Sequence, residues 1–208
     1  LEAMMVVSAN DAAVALAEHV GGDVASFTEM MNDRAARLGL ASTAYANPHG
    51  LDAAGQYTTA RDLVVVAQAV MAHPELAALA ARERAILVND AGVATSWEST
   101  NELLGSFEGA IGIKTGWTTR SGDVLVAAAE RDGRRVYAVV LGSKDANADA
   151  AALLERGFAA FGSAERRLVP LMEDRRQARL LRAELSTDIL ARVAHLRGLW
   201  KREVAAWE

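Results

Sequence analysis

Gly109-Ala110-Ile111-Gly112-Ile113-Lys114-Thr115-Gly116-Trp117-Thr118 opens the stretch that decides the fold. Residues 109–114 form a short apolar run of strand length. Two more apolar runs follow, at 123–129 and 134–141, joined by Arg131-Asp132-Gly133. Asp-Gly between apolar runs signals a hairpin, because both residues tolerate the positive φ that a tight two-residue turn requires. Just upstream, residues 85–89 and 93–97 flank Asp90-Ala91-Gly92 and predict a smaller hairpin. Strands joined by hairpins pair antiparallel.

Outward from the strands the pattern becomes helical. Residues 3–20 carry Met4, Val7, Val14 and Leu16 among many alanines and read as one helix, ended by Gly21-Gly22. A second helix is expected over 26–38, stopped at Gly39. A third runs from the capping Thr59 to His73, with Pro74 after it, and residues 146–161 return to helix. Residues 42–55 are rich in turn formers. The fold class expected is α+β: a helical lobe plus an antiparallel sheet with covering helices.

The last segment differs. Leu181, Leu185, Ile189, Val193, Leu196, Trp200, Val204 and Trp207 recur every three or four residues, the spacing of one long amphipathic helix. Residues 164–208 hold ten Lys/Arg against seven Asp/Glu, a net +3, while residues 1–163 hold twelve against twenty, a net −8. The expected organisation is a main domain over 1–162 and an amphipathic helical tail over 163–208. The tail reads as a protein-contact helix, with a membrane-surface role or packing on the body as the other readings. Its seven acidic residues argue against strong attraction to anionic lipid.

The 208 residues are 51% hydrophobic and 24% charged, ordinary for a folded domain, and the net charge of −5 gives no reason to expect nucleic acid as a partner. Without cysteine there is no disulfide, Cys nucleophile or Cys-based zinc site. The His residues show no metal-ligand spacing, so neither metal nor cofactor is expected. The start, Leu1-Glu2-Ala3-Met4-Met5-Val6-Val7, is neither a Met start nor a signal peptide, and the chain is expected to be a piece of a longer one.

Two short motifs carry candidate chemistry: Ser8-Ala9-Asn10 and Lys114-Thr115-Gly116. Alone, each reads more readily as something bland: Ser8 as a helix cap or a polar turn residue, Lys114 as a solvated strand end. In this order they match two of the three motifs of serine acyl-enzymes, S-x-x-K, S-x-N and K-T-G. A hydroxyl nucleophile needs a base and a proton path. A Ser hydroxyl and an Asn amide can relay the proton and hold the substrate amide. A strand-borne Lys adds positive charge, the Thr hydroxyl donates to a carboxylate, and Gly lets a substrate backbone lie close against the strand.

The chain resembles the low-molecular-mass D-alanyl-D-alanine carboxypeptidases, which share a β-lactamase/transpeptidase-like fold. The resemblance runs from about residue 2 to about residue 161. Residues 5–13 contain the S-x-N. Further blocks are Ala46-Asn47-Pro48-His49-Gly50-Leu51-Asp52, Thr100-Asn101-Glu102-Leu103-Leu104 and 109–118, and the Arg131-Asp132-Gly133 hairpin follows. The resemblance implies catalytic roles for Ser8, Asn10 and Lys114, with Ser8 passing protons. It implies substrate binding by Thr115, Gly116 and Trp117. Lys114 and Thr115 would hold a terminal D-alanine carboxylate, and the Trp117 N–H would form half of an oxyanion hole. It further implies peptidoglycan stem peptides ending in D-Ala-D-Ala as substrate, β-lactams as covalent inhibitors of the intact enzyme and an extracytoplasmic location, whether secreted, periplasmic or membrane-associated. Asn47 and His49 are read as parts of a structural turn, and His19, His73 and His195 as non-functional.

One motif is missing. The only lysines are Lys114, Lys144 and Lys201, and Ile111, Leu141 and Gly198 stand three residues before them, so no S-x-x-K exists in the 208 residues. A segment before Leu1 is expected to carry it. Without it, an open sheet edge, uncovered apolar surface, poor solubility and inactivity of this chain by itself are expected. The alternatives are a serine β-lactamase relative, against which the Asn-Pro-His-Gly loop argues, and a non-catalytic peptidoglycan-binding homologue.

Overall fold

The computed structural model describes residues 1–172. The chain divides into two compact units, Leu1–Phe158 and Ala159–Glu208. The second continues a helix to Met172, and the amphipathic stretch from Leu181 to Trp207 lies outside the described residues.

The first unit is an α+β fold, as expected. The helices are α1 (Glu2–Val6), α2 (Asn10–Gly21), α3 (Val24–Arg37), α4 (Ala60–Met71), α5 (Pro74–Ala80) and α6 (Ala146–Met172). The strands are β1 (Arg84–Val88), β2 (Ala94–Glu98), β3 (Ala110–Thr118), β4 (Gly122–Arg131) and β5 (Arg134–Ser143). β1 and β2 form the small hairpin, while β3-β4-β5 form an antiparallel sheet in chain order. At the β4–β5 turn, Asp132 and Gly133 adopt φ of 51° and 71°, the two positive values that an Asp-Gly turn accommodates.

Two helix expectations need correction. Residues 3–20 are two helices, not one. Val7, Ser8 and Ala9 separate α1 from α2, Ser8 has φ of 60°, and the Ala9 N–H donates back to the Ala3 carbonyl at 3.1 Å. Alanine content favoured continuity, but the Ala9 backbone is already extended and cannot propagate a helix. Pro74, in turn, does not merely close α4. It is the first residue of α5, where its missing N–H costs nothing, and Ala77 N–H bonds the His73 carbonyl at 2.9 Å. β3 also runs to Thr118, four residues past the expected end at Lys114.

The sheet is covered on both faces. Leu125, Ala127 and Ala129 of β4 pack with Leu103, with Ala138 and Val140 of β5, and with Ala150 and Leu154 of α6. On the other face Ala128 packs with Ala67, Met71 and Ala80, and Met5, Val126 and Tyr137 lean on this cluster. Small residues let the helices sit close. A Cβ on Gly112 would lie 3.0 Å from the Ala80 Cβ and carbonyl oxygen, so glycine there seats α5 on β3. Among the described strands the outer edges of β3 and β5 are unpaired. Ile86, Val88 and Trp97 of the small hairpin are exposed. A cleft of 450 Å³ lined by Met71, Ala77, Ile111 and Arg135 opens toward the N-terminal end of β3, away from Lys114–Trp117.

Candidate active site

Ser8 and Asn10 sit at the α1–α2 junction. Val6, 1% exposed, anchors the end of α1 in the core. The break that follows turns Ser8 outward at φ of 60°, and Asn10 becomes the first residue of α2. Both side chains are exposed, and neither hydrogen-bonds another described residue. A non-glycine residue in the left-handed region costs about 1–2 kcal/mol. Such strain persists where surrounding structure enforces it, and it is concentrated at functional positions.

Lys114, Thr115, Gly116 and Trp117 form the second half of β3, an edge strand. Lys114 pairs with Val126 of β4, so it lies on the sheet face that α4 and α5 cover. Met5, three residues before Ser8, packs on that same face. The register therefore brings Lys114 and the α1–α2 junction to one side of the sheet. The ammonium of Lys114 donates to the Thr115 carbonyl at 2.9 Å. Burial lowers its pKa to about 8, because losing water penalises the charged form. Gly116 is exposed, and a Cβ there would have only Val124 as a neighbour, at 3.9 Å. Among the described residues nothing demands a glycine at 116, and the space beside it is open. Trp117, 66% exposed, stands beside it.

Two connections that the sequence did not announce tie these parts together. The Thr100 hydroxyl hydrogen-bonds the Thr115 hydroxyl, and the Thr100 N–H donates to the Val6 carbonyl at 3.3 Å. One residue thus links the end of α1 to the candidate binding strand. Thr118 donates from Oγ1 to Asp52 Oδ1 at 2.8 Å, across 66 residues of sequence. That bond fixes the Asn47–Asp52 loop to the end of β3. Within the loop, Asn47 Oδ1 accepts from the N–H groups of His49 and Gly50 at 3.2 and 2.7 Å, and its Nδ2 donates to the Leu51 carbonyl at 2.9 Å. His49 Nδ1 accepts from the Leu51 N–H at 3.3 Å. Both side chains are engaged in holding the turn. Thr100 and Asp52 both fall inside the blocks that carry the resemblance, but no spacing rule connects residue 100 to 115 or 52 to 118.

A profile of the D-alanyl-D-alanine carboxypeptidase family matches residues 1–145. The D-alanyl-D-alanine carboxypeptidase DacB2 of Mycobacterium tuberculosis is 40% identical over 143 residues, 68% of this chain and 48% of that protein. DacF of Bacillus subtilis is 30% identical over 164 residues, 77% of this chain and 42% of that protein. Among solved structures, a variant of a Streptomyces DD-transpeptidase superposes with a TM-score of 0.73 at 34% identity, covering 76% of this chain and 66% of the other. The chain spans about half the length, or less, of the curated relatives it matches.

Proposed function

Because the chain belongs to the D-alanyl-D-alanine carboxypeptidase family, we propose that it forms the substrate-binding wall of a serine-type enzyme that removes the terminal D-alanine of peptidoglycan stem peptides. What supports this reading is that Lys114 lies on the sheet face where Met5 leads into Ser8, and that Thr100 bonds both the Val6 carbonyl and the Thr115 hydroxyl. In this reading the open edge of β3 offers backbone groups to an extended peptide, and Gly116 leaves room for it. The Thr115 hydroxyl donates to the terminal carboxylate, and the Lys114 ammonium supplies the opposing charge.

Lys114 serves a second purpose. A cation whose pKa lies at about 8 is mostly charged at neutral pH yet exchanges its proton readily. It can pass a proton through the Ser8 hydroxyl to the leaving amine. Asn10 holds the substrate amide, and the Trp117 N–H stabilises the oxyanion of the tetrahedral intermediate. The acyl-enzyme itself forms on a serine of an S-x-x-K motif, which the 208 residues do not contain. β-Lactams would acylate the same serine, and the site would work outside the cytoplasm, where its substrate lies.

The test supplies that motif. The S-x-x-K-bearing segment of the Mycobacterium tuberculosis relative is fused ahead of Leu1. The fusion is expected to release D-alanine from an N-acylated peptide ending in D-Ala-D-Ala and to be labelled by a fluorescent penicillin, while the 208 residues alone are not labelled. Lys114→Ala in the fusion should abolish release. A folded fusion that binds the peptide but releases nothing would favour the non-catalytic homologue, and labelling of the 208 residues alone would overturn the assignment of the nucleophile.

A further inference from the structure

We infer that Thr100 is a positioning residue for the substrate carboxylate, orienting the Thr115 hydroxyl so that its proton points away from Thr100 and toward that carboxylate. The inference rests on the reading of Thr115 given above and deepens it. The two hydroxyls are hydrogen-bonded to each other. A threonine hydroxyl has one proton and two lone pairs. If Thr115 donates its proton to a carboxylate, it can only accept from Thr100, and Thr100 must donate. The result is a directed chain from the Thr100 O–H to the Thr115 O–H to the carboxylate, in which each bond polarises the next. Among the described residues the Thr115 hydroxyl has no other hydrogen-bond partner to select that rotamer.

Thr100 is itself held from both sides. Its N–H bonds the Val6 carbonyl at 3.3 Å, and the Ser99 N–H bonds the Glu83 carbonyl at 2.7 Å. Asn101, 4% exposed, accepts the Leu103 N–H on Oδ1 at 3.2 Å, and its own N–H donates to Ser99 Oγ at 3.2 Å. Leu103, 5% exposed, roots the turn in the core. The Thr100 side chain itself is exposed, so it adds little to packing. A rigid base under an exposed hydroxyl is what positioning requires.

The experiment titrates the 208-residue chain, by amide NMR, with an N-acylated peptide ending in D-Ala-D-Ala and with the same peptide as its C-terminal amide. The wild-type chain should prefer the acid. Thr100→Val, nearly isosteric, should weaken binding of the acid about fivefold, the value of one ordinary hydrogen bond. Binding of the amide should not change, and Thr100→Ser should keep the preference. If Thr115→Val loses the preference while Thr100→Val retains it, this inference is overturned and the reading of Thr115 stands. If the wild-type chain shows no preference, or Thr115→Val retains it, both are overturned.

Discussion

Replacing Lys114 by Met should stabilise the folded chain at neutral pH. The ammonium is half-buried, and its hydrogen bond to the Thr115 carbonyl at 2.9 Å does not compensate for the water it has lost. Burial brings its pKa from the ordinary 10.5 to about 8. At 1.36 kcal/mol per pH unit, that difference corresponds to a penalty of about 3 kcal/mol carried by the charged form. Losing the Thr115 hydrogen bond returns about 1 kcal/mol, so the net gain at pH 7 is about 2 kcal/mol. The pH dependence has a fixed sign. Below about 8 the lysine is protonated in both folded and unfolded chains, and the penalty is fully present. From about 8 to 10.5 the unfolded chain holds a proton that the folded chain has released, so wild-type stability rises with pH relative to the variant. Above 10.5 the penalty is gone. Urea unfolding of both proteins between pH 7 and 10.5 measures this, and titrations of other groups cancel in the difference. A wild-type-minus-variant difference that stays flat across that window would refute the burial of a charged Lys114.

Three further outcomes are expected. Ser8→Gly removes the Cβ that makes φ of 60° costly, so stability should stay within about 1 kcal/mol of wild type or rise, while the nucleophile-bearing fusion loses about 100-fold in D-alanine release; a larger loss of stability in urea would contradict the strain at Ser8. Asn47→Ala deletes three hydrogen bonds of the 47–51 turn and should cost about 1–2 kcal/mol, with His49→Ala costing less; loss of catalysis on His49→Ala in a stable fusion would contradict the structural reading of that loop. Arg131 chelates Glu155 at 2.7 and 3.2 Å and lies 4.7 and 4.6 Å from the Phe107 and Phe158 rings, so Arg131→Ala should lower the thermal midpoint. Arg131→Lys, which cannot chelate, should recover only part of it, and equal midpoints for Lys and Arg would show that planarity is irrelevant there.

The elements that carry the two candidate motifs were legible in part. Lys114-Thr115-Gly116 lies on a strand because apolar residues lead into it, whereas Ser8-Ala9-Asn10, expected within one helix over 3–20, instead opens α2. What the linear pattern hid was the break at Ser8. Alanine and β-branched residues around it gave no stop signal, since positive φ without glycine is imposed by neighbours rather than by propensity.

By itself, the sequence determined the α+β class, the Asp132-Gly133 hairpin and the two motifs, because periodicity and turn chemistry are local properties of the chain. Only the tertiary structure decided that Lys114 faces the side where Met5 leads into Ser8, that burial lowers its pKa, and that Thr100 reaches Thr115. Those facts depend on strand register, on desolvation and on contacts between residues far apart in the chain, and none of these is written in any short window of residues.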